Sequence, residues 1–171
     1  MANVRDGYSN IIYTTDIKEA CNNADLVIEA IAEDLQQKKE LFTKINKYLP
    51  EKTIIVTNSS TLLPSQLADS TGRPEKFLAL HFGNNIWKLN IAEVMMHPGT
   101  NPDNFEVVLN FAKQINMVPM KIYKEQKGYI LNSLLIPLMK SALTLWANGV
   151  ADPETIDKSW KLGTGALYGP F

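Results

Sequence analysis

Between residues 25 and 123 the apolar residues switch repeatedly between a strand pattern and a helix pattern, and this alternation restricts the fold more than any other feature. Residues 25–31 (DLVIEAI) form a nearly continuous apolar run, like a strand buried on both faces of a parallel sheet. Residues 34–48 then place Leu35, Leu41 and Ile45, with Leu49 just beyond, at helical spacing, and Pro50 follows. Residues 53–57 (TIIVT) read as the next strand, and residues 63–69 as a short helix with Pro64 in its first turn. Residues 77–82 and 91–96 are strand-like. Residues 103–114 are helical, with Asn101 or Asp103 as the cap, and 118–123 form a last strand. A short β-rich run at 11–14 and a short helix at 17–22 precede the series. Alternation of this kind predicts an α/β fold built on a doubly wound sheet.

The pattern changes near residues 124–127. From Gly128 to about Asn148 the sequence reads as one helix, with Ile130, Leu134, Leu135, Leu138, Ala142, Leu145 and Trp146 mostly on one face. Pro137 should kink it or interrupt its hydrogen bonding, and Gly149 ends it. A further short helix opens at Asp152 or Pro153 and runs through Trp160. The expected organisation is therefore an α/β part over 1–125 and the beginning of an all-α part over 126–171, without repeats or low-complexity segments.

Of the 171 residues, 45% are apolar and 20% charged, as in a soluble globular protein. The net charge of −1 offers no electrostatic footprint for nucleic acid. No apolar run approaches the roughly 18 residues of a membrane helix. The first ten residues lack the apolar centre of a signal peptide, so an intracellular, cytoplasmic setting is expected. The one cysteine, Cys21, cannot form an internal disulfide or a metal site alone; it reads as a structural thiol.

In doubly wound sheets, ligands sit beyond the carboxyl ends of the strands. Polar residues fall at that edge three times: Glu33 after the first run, Asn58, Ser59 and Ser60 after the second, and His81 with Asn84 at the end of the third. If the run from His81 to Glu93 folds back around Trp87, those two residues come out opposite each other. Directly paired strand residues have Cβ atoms about 4.5–5.5 Å apart, within reach of an imidazole–carboxylate contact. Such a pair makes a general base near neutral pH. Each candidate also has a plainer reading. Ser60 also fits a helix cap, Asn132 a polar residue in an apolar helix, and Glu33 and Lys38 solvated residues at a helix start. His97 reads as a turn residue and Met95–Met96 as core filling. Trp87 fits either a loop anchor or part of a substrate pocket.

Five segments carry a resemblance: ADLVIEAIAED, TNSST, LHFGNNIWKLNIAEVM, KGYILNSLLIPL and GVADPETIDKSW with GALYGPF. In this order and at these distances they resemble the L-3-hydroxyacyl-CoA dehydrogenase family, which includes 3-hydroxybutyryl-CoA dehydrogenases. The resemblance implies a Rossmann-type NAD-binding domain followed by a helical substrate and dimerisation domain. It also implies oxidation of the 3-hydroxyl of an acyl-CoA with NAD as hydride acceptor, and a homodimer or higher oligomer. His81 matches the family's catalytic base and Glu93 the residue that orients it. Ser60 and Asn132 match substrate-contacting residues. Glu33 and Lys38 match nicotinamide- and ribose-side contacts, Asn58 lies beside the cofactor path, and Asn84 matches the Asn three residues after the His.

Departures from the family pattern are local except for one. Gly83 and Asn85 replace an aromatic residue and a proline, which should reshape the pocket wall. Lys127-Gly128-Tyr129 stands where PGF is usual, and Ser133 where an Arg often follows the Asn. The larger departure is at the front: none of the nine glycines forms the G-x-G-x-x-G turn that cradles the cofactor's pyrophosphate. The chain is therefore expected to be a fragment of reduced or no activity alone. A catalytically silent assembly module on the same scaffold, or a related hydroxy-acid dehydrogenase, is the alternative.

Overall fold

A computed structural model describes residues 7–171; the polar start of the chain, including Met1-Ala2, lies outside them. These residues divide into two compact units, one ending at Glu125 and one starting at Gln126.

The first unit is a five-stranded sheet in the order β1 (Leu26–Glu29), β2 (Ile54–Thr57), β3 (Phe77–Phe82), β4 (Ile91–Met95), β5 (Val118–Ile122). β1, β2 and β3 are parallel; β4 runs antiparallel to β3, and β5 parallel to β4. Helix α1 (Ile17–Cys21) precedes β1, α2 (Leu35–Ile45) joins β1 to β2, and α3 (Pro102–Gln114) joins β4 to β5. Each start has a side-chain cap that satisfies otherwise orphaned N–H groups: Asp16 for α1, Asp34 for α2 and Asn101 for α3.

Side chains alternate across a strand, so the central strands β2 and β3 feed two cores. Ile54, Val56, Leu78, Leu80, Ala92 and Val94 face α3, where they meet Phe105, Val108, Leu109 and Ala112. Ile55 and Phe77 face the other way, against Cys21, Phe42, Ile45 and Leu67. Phe42 and Phe77 meet edge-on, with ring centroids 5.3 Å apart. By the same alternation His81 and Glu93 point to the α2 side.

Several sequence expectations are corrected. Residues 11–14 are not a strand: Ile12 is largely exposed, and β propensity without a neighbouring strand builds no ladder. β1 is shorter than the apolar run and is not buried on both faces. It is one of the two edge strands among the described residues, and Ile28 is 39% exposed. In place of a helix over 63–69 there are two 3₁₀ turns, Pro64–Gln66 and Ala68–Thr71, followed by a third at Pro74–Lys76. Gly72, at φ 66°, ends the second turn.

The second unit contains α4 (Leu131–Ala147) and α5 (Pro153–Thr164). α4 begins three residues later than the apolar pattern suggests. Gly128 (φ 81°) and Tyr129 (φ 54°) are left-handed, which a right-handed helix cannot include. It then runs continuously through Pro137. Asp152 caps α5 by accepting from Thr155 N at 2.8 Å, and Gly165 in left-handed geometry ends it. Leu134, Ile136 and Trp146 of α4 are exposed.

The two-core packing predicts a sharp contrast. Leu80→Ala, which empties a fully buried position, should lower urea-unfolding stability by about 2–5 kcal/mol. Val107→Ala, on the exposed side of α3, should stay within about 0.5 kcal/mol of the parent.

Candidate active site

His81 and Glu93 are direct partners in the β3–β4 register. His81 Nδ1 and Glu93 Oε2 are 3.1 Å apart, and both residues are buried. A carboxylate can only accept, so Nδ1 carries the proton and the lone pair of Nε2 faces outward. Ser60 Oγ lies 3.1 Å from Nε2 and donates to it. The turn between the strands is closed at Asn85, whose carbonyl accepts from Lys88 N and Leu89 N. Asn85 has φ 57°, a conformation Asn tolerates better than most residues. Trp87 sits exposed in this turn, as does Asn84. Asn58 lies at the end of β2 and accepts at Oδ1 from Phe82 N at 3.0 Å, tying that strand end to the residue after His81.

A second network lies at the ends of β1 and β2. Glu29, buried in the apolar run, accepts from Lys38 Nζ (2.6 Å) and Ile31 N (2.7 Å) at Oε1 and from Thr57 Oγ1 (2.7 Å) at Oε2. Lys38 is not a solvated helix-start residue. It is 1% exposed, and its ammonium also meets Ile31 O at 3.2 Å and Glu33 Oε2 at 3.4 Å. Glu33 Oε1 accepts from Ser59 Oγ (2.5 Å), Thr61 N (2.9 Å) and Thr61 Oγ1 (2.7 Å). Burial works against the Glu33 charge. The hydrogen bonds from Ser59 and Thr61 and the Lys38 charge outweigh it and hold the carboxyl down at about 2. The sequence reading missed Glu29 and Thr57. The available signal was a carboxylate inside an apolar strand with a lysine nine residues on.

Asn132 belongs to the second unit, half-buried in the first turn of α4. His97 is more than a turn residue. Gly99 N donates to its Nδ1 (3.1 Å), which leaves Nε2 as the donor to Pro74 O (3.0 Å). Cys21 is buried, and burial pushes its thiol up. Among the described residues no cluster of three or more His, Cys, Asp or Glu could hold a metal ion. Nor is any helix among them long and apolar enough to cross a membrane.

The Ser60–His81–Glu93 chain has the bonding order of an acyl-transfer triad. Such sites, however, need N–H donors beside the nucleophile for a developing oxyanion. Here the N–H after Ser60, that of Thr61, donates to the Glu33 carboxylate. That N–H is not free for an oxyanion, and the remaining feature is an imidazole nitrogen whose lone pair meets the Ser60 hydroxyl. The pair lies at the carboxyl end of β3, the edge at which doubly wound α/β folds bind their ligands.

Sequence comparison makes that class specific. Residues 1–126 match the family model described as 3-hydroxyacyl-CoA dehydrogenase, NAD binding domain, and residues 128–171 match 3-hydroxyacyl-CoA dehydrogenase, C-terminal domain. The chain belongs to the 3-hydroxyacyl-CoA dehydrogenase family. It is 37% identical over 163 residues to the mitochondrial hydroxyacyl-coenzyme A dehydrogenase of Homo sapiens, an overlap covering 95% of this chain and 52% of that protein. Among solved structures it is similar to a diketoreductase, with 51% identity and a TM-score of 0.95 over 98% of this chain and 59% of that one. It is also similar to the (S)-3-hydroxybutyryl-CoA dehydrogenase of Ralstonia eutropha, with 28% identity and a TM-score of 0.92 over 99% and 59%. The chain thus spans about half the length of the curated relatives it matches.

The Glu33 cluster predicts a specific pH dependence. The folded carboxyl titrates near 2 and the free one near 4.5, so its stabilisation is complete above 4.5 and fades as pH falls toward 2. Urea unfolding of wild type and Glu33→Gln should differ most at neutral pH, and the gap should close below pH 4.5. A gap independent of pH would contradict the charge-based account.

Proposed function

We propose that this chain carries the proton-transfer half of an NAD-dependent 3-hydroxyacyl-CoA dehydrogenase, acting on a short-chain 3-hydroxyacyl thioester. The observation that carries the reading is the ordered contact Ser60 Oγ–His81 Nε2 with His81 Nδ1–Glu93 Oε2 behind it. The residues over 1–125 then form part of the cofactor domain, and those over 126–171 the start of the substrate and dimerisation domain.

In this reading Ser60 holds the substrate's 3-oxygen at Nε2. His81 takes the hydroxyl proton there, and the resulting imidazolium is stabilised at Nδ1 by buried Glu93. Asn132 supplies a second hydrogen bond to the substrate. Bound NAD supplies the hydride acceptor. Its nicotinamide end would be met by Glu33, partly exposed at the strand edge, by Asn58 at the end of β2 and by Asn84 in the β3–β4 turn, with Lys38 acting through Glu33. A glycine-rich pyrophosphate cradle is not among the nine glycines of this sequence. The fit is therefore to one end of the cofactor only. A dimer or higher oligomer is supported by the exposed apolar side chains of α4.

The 51% identity to a diketoreductase, a protein described by its catalysis of dicarbonyl compounds, favours a second reading in which the same pair reduces a dicarbonyl lacking CoA. Turnover of 3-hydroxybutyryl-CoA against a CoA-free diketo substrate separates the two. In either case His81→Ala should lower NAD-linked turnover by about 10²–10⁴-fold, and unchanged turnover would remove the role given to His81. Calorimetric titration of the 171-residue chain with NAD should show weak binding. Tight binding would mean that the cofactor site needs no glycine-rich turn.

A further inference from the structure

The hydroxyl of Ser60 is useful only where it is held, and both of its chain neighbours are tied down by hydrogen bonds that lead back to one buried carboxylate. On one side, Ser59 N donates to Thr57 Oγ1 at 3.1 Å, and that hydroxyl donates to Glu29 Oε2 at 2.7 Å. A hydroxyl has one proton, so donating it to Glu29 turns the Thr57 lone pairs toward Ser59 N. On the other side, Thr61 donates twice to Glu33, whose other oxygen lies 3.4 Å from the Lys38 ammonium. That ammonium is in turn held by Glu29 at 2.6 Å. Both routes end on the same carboxylate, which is 2% exposed. Burying a carboxylate is costly unless its oxygens are satisfied, and here three donors satisfy them.

We propose that Glu29 is a positioning residue for the His81 centre. Through Thr57 on one side and Lys38–Glu33 on the other, it clamps the two residues flanking Ser60 and so sets the Ser60 Oγ–His81 Nε2 contact. The proposal rests on the reading of His81 as the base, but its test does not require turnover.

The protein has two histidines, so its imidazole nitrogens form a spectrum that long-range ¹⁵N–¹H correlation resolves, with the His97 ring as internal control. Ser60→Ala calibrates the signal: it should shift His81 Nε2 and leave Nδ1, which faces Glu93, in place. Glu29→Gln and Thr57→Val should shift Nε2 in the same direction, again with Nδ1 and both His97 nitrogens unmoved. Glu29→Gln strands the Lys38 charge and risks unfolding the chain, whereas Thr57→Val keeps the shape and removes only the relay hydroxyl. A folded Thr57→Val chain with a wild-type Nε2 resonance would overturn the proposal, since a merely structural role lowers stability without touching that nitrogen. If Nε2 moves in all three variants while Ser60→Ala retains full turnover, the positioning inference stands and the proposed substrate role of Ser60 falls.

Discussion

The antiparallel pairing of β3 with β4 is the constraint on which the site depends. In a sheet otherwise built of parallel pairs, this one reversal brings Glu93 against His81 across the connection formed by residues 83–90. The register is enforced from the opposite face. Leu80 and Val94 are paired and fully buried against α3, so a slip by one residue would expose them and turn Glu93 into an apolar core. The packing that stabilises the domain is thus also what places a carboxylate behind the imidazole.

The second organising feature is electrostatic. Two carboxylates and one ammonium sit at the ends of β1 and β2, with Glu29 and Lys38 withdrawn from water. A buried ion pair is weak evidence for stability, because desolvation offsets much of its attraction. Its value here is geometric. Each oxygen has a fixed partner, and three of the donor residues, Thr57, Ser59 and Thr61, belong to the segment that carries Ser60. A hydrophobic replacement would fill the space without directing that segment.

Much of this was legible in one dimension. The strand and helix order, the Asn101 cap, the change of pattern near residue 125 and the opposition of His81 and Glu93 all follow from local rules: periodicity, capping chemistry and the symmetry of a hairpin about Trp87. What misled were features governed by neighbours. The run at 25–31 is apolar enough for a strand buried on both faces, yet its place at the sheet edge leaves Ile28 partly exposed. The segment at 63–69 has helical composition, yet its hydrogen bonds close at three residues instead of four.

By itself the sequence determined the class of fold, the residue types at the ligand edge and the family, because these reside in pattern and spacing along one chain. The tertiary structure alone decided which of the polar residues lie exposed at that edge and which are buried behind it. Lys38 reads as a solvated lysine and Glu29 as an oddity in a strand until the ends of β1, β2 and α2 are brought together. The ionisation of Glu33 and the direction of the Ser60 hydroxyl depend on partners 5 to 28 positions away in sequence. Electrostatic and hydrogen-bond environments are properties of distance in space, and spacing along the chain does not encode them until the chain has folded.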